Sequence, residues 1–363
     1  MSERFGWQLA LAALAALSAG CDGSPVEPAL DGGHCDPTSR DLVWDVDGLP
    51  EPGAPLEWRE RPALEPQDRK MVLVENHLPW DLNDRQAYYL RPGDAGFRAR
   101  FPFVVGLGWP NAETLEFRLF IDAELATFEV DGESVDRAVV PLSAEGLGSL
   151  EVLIPFERFS PGMNHLHFIV TLDAGERDHP ETPRVFTTGG FALTVAREAA
   201  TPASEWNDTP GWREADAMPG APPTLSYVNT DGETRYLIMR PERPRISGSR
   251  LDLTLHLQRD PNALICATPV DDTFAIVALL DGEQITLGGH RQIIATLAPG
   301  EAREFQFSID LPDTEGAHRL EVHALPGLGR PARLAGRRRM PPWPVLVRTI
   351  TDFTWQEGPA VAP

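Results

Sequence analysis

Hydrophobic and polar residues alternate along most of the chain with a period of two. The clearest alternating runs are Leu115, Phe117, Leu119 and Ile121 in the first half, and Leu251, Leu253, Leu255 and Leu257, then Phe305, Phe307, Ile309 and Leu311, in the second. Such alternation places one face of a strand on a core and the other in water. No amphipathic helix longer than two turns is indicated. The pattern therefore predicts an all-β chain.

Short similar stretches recur in the same order in the two halves. Three pairs match at an offset of about 150 positions: DRQAYYLRP (84–92) with ETRYLIMRP (233–241), DGE at Asp131 with DGE at Asp281, and NHLHFIV (164–170) with AHRLEVH (317–323). Asp-Gly pairs between alternating runs are typical of two-residue hairpin turns, which require positive φ angles. The matches indicate an internal duplication.

Each copy carries roughly seven to nine alternating runs, a number that suits an antiparallel β-sandwich. The two copies resemble tandem immunoglobulin-like or fibronectin-like sandwiches in architecture only, with no specific family. Trp206 and Trp212 in the linker are expected to pack against a domain. The expected organisation is a signal peptide (1–20), a Pro/Gly-rich tether (21–66), a first sandwich (67–198), a linker (199–223), a second sandwich (224–356) and a tail (357–363).

The apolar run at 9–20 is shorter than the roughly 20 residues that a membrane-spanning helix needs. It follows Arg4 and precedes small residues, an arrangement typical of a secretory signal. LSAGC at 17–21 resembles the lipobox of bacterial lipoproteins. This resemblance implies that Cys21 becomes a lipidated first residue and that the protein is anchored in the bacterial cell envelope, at the outer membrane or facing the periplasm. Ser18 stands where the family pattern has an aliphatic residue, so a cleaved and secreted protein is the alternative.

Two further cysteines, Cys35 and Cys266, remain if Cys21 is acylated. In an oxidising compartment they can form a disulfide that ties the tether to the second half of the chain. The alternative is a pair of unpaired buried thiols.

The formal charge of −22 excludes nucleic acid as a natural partner, because such a surface repels phosphate backbones. One loop, 326–344, inverts this charge locally. It contains no acidic residue and carries Arg330, Arg333, Arg337, Arg338, Arg339 and Trp343. Arginine forks bind phosphate and carboxylate groups. The loop is therefore a candidate surface for an anionic glycan or an acidic protein partner. The alternative is a solvated loop that pairs with the protein's own acidic surface.

No catalytic motif is present: the chain lacks HExxH, GxSxG, a Walker loop and a GxGxxG at a strand-to-helix turn. No cofactor is expected, and the protein is not expected to be an enzyme. His165 and His167 share one face of a strand, and with Leu166 and Phe168 facing the core both histidines are expected to be exposed. A zinc site needs a third ligand, so a metal-dependent hydrolase built on this pair ranks last.

The sequence as a whole favours a non-catalytic binding or adhesion module that acts through loops at the sandwich ends. The alternative is a structural spacer or an assembly subunit that pairs through strand edges.

Overall fold

The structure, a computed structural model, describes fifteen separate ranges of the chain. They are 42–43, 72–74, 87–105, 114–141, 147–173, 185–197, 200–201, 205–216, 224–228, 234–237, 245–247, 250–259, 271–310, 316–329 and 347–356. These residues form strands and turns, with one turn of 3-10 helix at Phe156–Arg158. No helix in the described ranges has the length and apolar character to cross a membrane.

The first sandwich consists of two sheets. One has the strand order β2-β4-β10-β7-β8, with β2 (Val72–Val74), β4 (Gly96–Val105), β10 (Leu147–Pro155), β7 (Phe128–Val130) and β8 (Glu133–Val135). The other has the order β3-β12-β11-β5-β6, with β3 (Ala87–Tyr89), β12 (Val185–Ala196), β11 (Met163–Asp173), β5 (Thr114–Ile121) and β6 (Glu124–Ala126). A further strand, β9 (Arg137–Pro141), pairs with β5. All pairs are antiparallel except β3 with β12.

The second sandwich repeats the sheet that contains β5 and β11, and in the other sheet it repeats the three strands β2, β4 and β10 but not the outer strands. One sheet has the order β14-β22-β18-β15-β16, with β14 (Arg213–Glu214), β22 (Ala302–Asp310), β18 (Arg250–Gln258), β15 (Thr224–Val228) and β16 (Thr234–Leu237). The other has the order β17-β24-β23-β19-β20, with β17 (Arg245–Ser247), β24 (Val347–Gln356), β23 (Gly316–Leu325), β19 (Asp272–Leu280) and β20 (Glu283–Ile285). Strand β21 (Ile293–Leu297) pairs with β19 as β9 pairs with β5.

A two-stranded ladder joins the tether to the linker. Strand β1 (Leu42–Val43) pairs antiparallel with β13 (Ala200–Thr201). The two segments that precede the two sandwiches therefore meet.

Each sandwich has its own hydrophobic core, as the alternation predicts. In the first, the ring of Phe101 lies 4.7 Å from that of Phe168 and 5.7 Å from that of Phe117, measured between ring centroids. In the second, the leucines of β18 are buried while Asp252 on the same strand is exposed. The all-β prediction of two tandem Ig-like sandwiches related by an internal duplication is confirmed.

The structure corrects the register of the duplication. Strand β11 is equivalent to β23, since the amide of Asp122 donates to the carbonyl of His165 just as that of Asp281 donates to Arg319. The match between 164–170 and 317–323 is therefore right, with Leu166 equivalent to Leu320. The DGE match is wrong. Asp281 lies in the β19–β20 turn, and the equivalent turn in the first sandwich begins at Asp122. Asp131 lies instead in the β7–β8 turn, which belongs to the other sheet.

The first of the three sequence matches is wrong for a similar reason. Strand β3 lies within 84–92, but 233–241 contains β16, which belongs to the opposite sheet. Residues Asp122, Asp131 and Asp281 all have positive φ angles. The repeated triplet therefore reflects the turn geometry that two-residue hairpins share, and not descent from one ancestral position.

Candidate functional site

The two sandwiches pack against each other through the outer faces of their β5–β11 and β19–β23 sheets. An apolar cluster formed by both sandwiches fills the contact, and we call it the interdomain face. It consists of Phe120, Ala123 and Ile169 from the first sandwich and Ala275, Val277, Leu279, Ile294, Leu325 and Leu328 from the second, with Leu125 and Trp206 packed beside it. Those in strands occupy positions that would be solvent-facing in an isolated sandwich, while Ala123 and Leu328 lie in turns next to them.

The sequence carries a signal for this face. Strand β19 reads DTFAIVALL, and all of its residues except Leu280 are buried. A strand that is apolar at both odd and even positions is covered on both of its faces. Phe120 and Ile169 likewise interrupt the alternation of β5 and β11 with large apolar side chains.

His165 and His167 lie within this contact, so the prediction that they are exposed is wrong. Each is 2% exposed. Nε2 of His167 donates to the carbonyl of Pro326 over 2.7 Å, and the amide of Gly329 donates to Nε2 of His165 over 3.1 Å. Their neighbour Leu166 faces the core of the first sandwich, as predicted. The two imidazoles do share a face, but that face meets the second sandwich and not water.

Burial determines the charge of these two histidines. It lowers the pKa of His165 to about 3, with a further contribution from His167, and it lowers the pKa of His167 to about 4 despite the bond to Pro326. Both rings are therefore neutral near pH 7. Next to them, burial raises the pKa of Asp122 to about 6, although its carboxylate accepts a bond from the amide of His165.

A second polar group lies deeper in the contact. Arg118 donates to the carbonyl of Gly282 over 2.9 Å, forms an ion pair with Glu116, and approaches Glu321 to 4.0 Å. Nε2 of His323 lies 3.2 Å from a carboxylate oxygen of Glu321. Burial alone would raise the pKa of Glu321, but the hydrogen bond and charge of His323 and the charge of Arg118 hold it below its ordinary value.

Further hydrogen bonds cross between the sandwiches at the hairpin turns. The side chain of Gln284 accepts from the amide of Leu125 over 2.8 Å and donates to the carbonyl of Ala123 over 3.1 Å. Because these bonds satisfy backbone groups that the contact buries, they hold one particular relative placement of the two sheets.

Within the described ranges, no group of three or more His, Cys, Asp and Glu side chains lies close enough to bind a metal ion. The Nε2 atoms of His165 and His167 are both engaged with the backbone of residues 326–329. The chemistry of this pair is therefore to bind a segment of the chain.

That segment is the start of the arginine-rich loop, and we call residues 326–329 the loop stem. The amide of Leu328 donates to the carbonyl of Thr273 over 3.1 Å, and the amide of Gly327 donates to Asp272 over 3.1 Å. Leu328 itself is buried in the interdomain face. The second sandwich thus holds the stem from one side, and the histidines of the first hold it from the other.

The remaining sequence-predicted site residues lie outside the described ranges. They are the lipidation candidate Cys21, the disulfide candidates Cys35 and Cys266, and the loop residues Arg330, Arg333, Arg337, Arg338, Arg339 and Trp343.

The linker packs against the second sandwich, which confirms the prediction for its two tryptophans. Nε1 of Trp212 donates to the carbonyl of Ile294 over 2.8 Å, and its ring lies 5.1 Å from that of Phe305. Thr209 bonds with both backbone groups of Ile294, at 3.0 Å through its amide and 2.8 Å through its hydroxyl. Trp206 packs beside the interdomain face.

We expect Trp212→Ala to lower the free energy of unfolding by about 2–3 kcal/mol, since it removes a half-buried ring and a hydrogen bond to the backbone. Urea unfolding followed by circular dichroism measures the change. The control Trp212→Phe keeps an aromatic ring and should lose only about 1 kcal/mol. Equal stability of Trp212→Ala and the parent chain would show that the linker is not held by this contact.

Comparisons with known proteins give no family for this chain. No protein-family model matches it, and no curated protein matches it. Among solved structures, the chain is similar to the YadV chaperone with 10% identity and a TM-score of 0.22, covering 72% of this chain and 96% of that one. For the E. coli chaperone DraB the identity is 10% and the TM-score 0.23, covering 81% of this chain and 100% of that one.

A third similar structure is the Salmonella enterica SafA pilin in complex with the SafB chaperone, with 13% identity and a TM-score of 0.23, covering 72% of this chain and 98% of the matched chain. Similarity at this level carries no argument about function. The functional assignment therefore depends on this chain's own residues.

Proposed function

We propose that this protein is a non-catalytic binding module of the bacterial cell envelope. Its anchor is a lipid on Cys21, and its recognition surface is the part of the loop at 330–343, which we call the arginine segment. The ligand class is anionic: an envelope glycan that carries phosphate or carboxylate groups, or an acidic protein surface.

One observation carries this proposal. The chain enters Arg330 directly from Gly329, and the loop stem before it is bound by Thr273 and Asp272 of one sandwich and by His165 and His167 of the other. A recognition segment whose base is fixed loses less conformational entropy on binding than one that is free at both ends. The packing of two sandwiches around the stem thus has a functional reason.

The charge distribution supports the same ligand class. The chain as a whole carries a formal charge of −22, but the arginine segment contains five arginines and no acidic residue. Guanidinium groups form paired hydrogen bonds to phosphate and carboxylate oxygens. Anionic partners would be repelled by the rest of the surface and attracted at this segment, which restricts binding to one orientation.

The first test uses an anionic matrix and the chain without its signal segment, with Cys21 replaced by Ser. At about 50 mM salt we expect the parent to be retained on phosphocellulose and to elute as salt screens the contact. A variant with Arg330, Arg333, Arg337, Arg338 and Arg339 changed to Ser should lose at least about tenfold in affinity.

The control variant removes the same charge from other parts of the surface, by changing the exposed Arg98, Arg137, Arg158, Arg213 and Arg250 to Ser. It should be retained like the parent. Loss of retention in both variants would show a general charge effect, and retention of both would remove the arginine segment as the binding surface. The same three proteins, used as bait in an envelope extract, would then show whether one component depends on the segment.

A further inference from the structure

Strand β9 forms an open sheet edge in the first sandwich. It pairs with β5 on one side, and no described strand lies on its other side. Val139, in the middle of this strand, is 50% exposed. Within the described ranges, it is the only large hydrophobic side chain that is exposed. An uncovered edge offers backbone donors and acceptors to another chain.

The duplication shows what covers the equivalent edge in the second sandwich. Val139 lies opposite Glu116 in β5, and Ile294 lies opposite Ala275 in β19. Glu116 stands six positions before Asp122, and Ala275 stands six positions before Asp281. Because these two aspartates begin equivalent turns, Val139 and Ile294 are equivalent. Ile294 is only 7% exposed, and its outward backbone groups bond with Thr209 of the linker.

Because Val139 occupies the same register position as Ile294, its backbone amide and carbonyl also face away from the neighbouring strand β5. A segment that pairs here would meet the donor and acceptor that Thr209 meets in the second sandwich. The edge in the second sandwich is therefore closed by the linker, whereas no segment within the described ranges covers the edge in the first.

We propose that two copies of this protein pair antiparallel through their β9 edges, with the two Val139 residues opposite each other. The strand RAVVP is self-complementary in this register. Each Val139 amide donates to the opposite Val139 carbonyl, and each Arg137 amide donates to the opposite Pro141 carbonyl. Arg137 lies across from Pro141, so no like charges are directly opposed, and the valines form an aliphatic cross-strand pair.

The β9 edge itself accepts one partner strand. Pro141 has no N–H to continue the ladder, and the equivalent β21 edge in the second sandwich is occupied by the linker. Pairing of the same strand from both copies uses this edge in each and gives a closed two-fold dimer.

A contact of five residues per copy is small, so the dissociation constant in solution should be about 100 µM. Anchoring both copies in one membrane would raise their effective concentration. This dimer does not depend on the arginine segment.

Salt dependence distinguishes edge pairing from charge-driven association. Each copy carries −22, so two copies repel each other, and screening should strengthen a dimer held by backbone bonds. A dimer held by the arginine segment of one copy on the acidic surface of another would weaken as salt rises.

The experiment is sedimentation equilibrium at total concentrations from about 10 to 500 µM, at low and high salt. We expect the parent to dimerise more strongly at high salt and Val139→Lys to weaken the dimer at least tenfold, because an edge lysine blocks strand pairing. Ser149→Lys places the same charge at an exposed position of β10 and should behave like the parent.

Position-specific cross-linking gives a second readout that does not depend on affinity alone. Opposed residues in a hydrogen-bonded antiparallel pair have Cα atoms about 5.5 Å apart, within reach of a disulfide. Under oxidation, Val139→Cys should therefore form covalent dimers above the background set by the native cysteines, and Ser149→Cys should not. A monomeric parent at every concentration, a dimer unaffected by Val139→Lys, or a dimer that weakens with salt would each overturn the proposal.

Discussion

Acidification from pH 7 to pH 4.5 is expected to lower the free energy of unfolding by about 3 kcal/mol, chiefly through His165 and His167. Burial holds their pKa values at about 3 and about 4, below the ordinary value of 6.5. At pH values between about 4 and 6.5, these two histidines bind protons in the unfolded chain but not in the folded protein. Stability is therefore full above about pH 6.5 and falls as the pH drops toward 4.

Neighbouring groups change the size of this effect but not its direction. Asp122, with its pKa raised to about 6, takes up a proton in the folded state first, and this offsets about 2 kcal/mol of the loss. Glu321, whose pKa is held below its ordinary value, adds to the loss only once the pH falls below that ordinary value. Each histidine alone contributes about 2–3 kcal/mol over two pH units, so the pair dominates.

Urea unfolding at a series of pH values measures this dependence. In the double variant His165→Gln and His167→Gln, the amides keep hydrogen-bonding groups for Gly329 and Pro326 but do not titrate. Acidification should then no longer lower the stability, and protonation of Asp122 should raise it by about 2 kcal/mol. The control His290→Gln changes an exposed histidine and should follow the parent. A parent and double variant that lose the same stability between pH 7 and pH 4.5 would show that the buried pair is not responsible.

Phe120→Ala is expected to lower the free energy of unfolding by about 3–5 kcal/mol, the range found when a fully buried aromatic ring is removed. Phe120 lies in β5 at the interdomain face, with no exposed surface, and its ring centroid is 6.1 Å from that of His323 in the other sandwich. The cavity would open on the contact that couples the two sandwiches. We therefore expect the parent to unfold in one thermal transition and Phe120→Ala to unfold in two.

Differential scanning calorimetry measures both the stability and the number of transitions. Val139→Ala removes apolar atoms from an exposed position of the same sheet and should change stability by less than about 0.5 kcal/mol. Phe101→Ala, in contrast, removes a ring from the core of the first sandwich alone. If Phe101→Ala and Phe120→Ala gave the same single transition, Phe120 would not have a coupling role.

The architecture could be predicted from the sequence because it depends on local periodicity. A period of two residues defines a strand with one buried face, and this held for Leu251 and Leu253 against Asp252 in β18. The hairpin at Asp281 was likewise recognisable, since Asp-Gly tolerates the positive φ angles that the turn needs. The same local chemistry also produced the mistaken register, because Asp131 and Asp281 share a turn type without sharing a place in the fold.

The period of two residues could not predict what covers the second face of each sheet. Alternation placed His165 and His167 on one face of a strand correctly, but it did not say whether water or protein lies beyond that face. The continuous apolar run of β19 from Phe274 to Leu279 was the available sign that a second layer covers the sheet. It does not identify which surface provides that layer.

Four features could be predicted without the structure: the all-β class, the duplication into two sandwiches, the core-facing position of Leu166 and Phe168, and the packing of Trp212. These follow from side-chain spacing and polarity within a few residues. Three others became visible only in the folded chain: the two sandwiches cover each other's outer faces, two histidines bind the loop stem, and Ile294 is covered while Val139 is half exposed. These depend on contacts between residues 85 to 164 positions apart, and no local pattern encodes which distant surface will meet a given face.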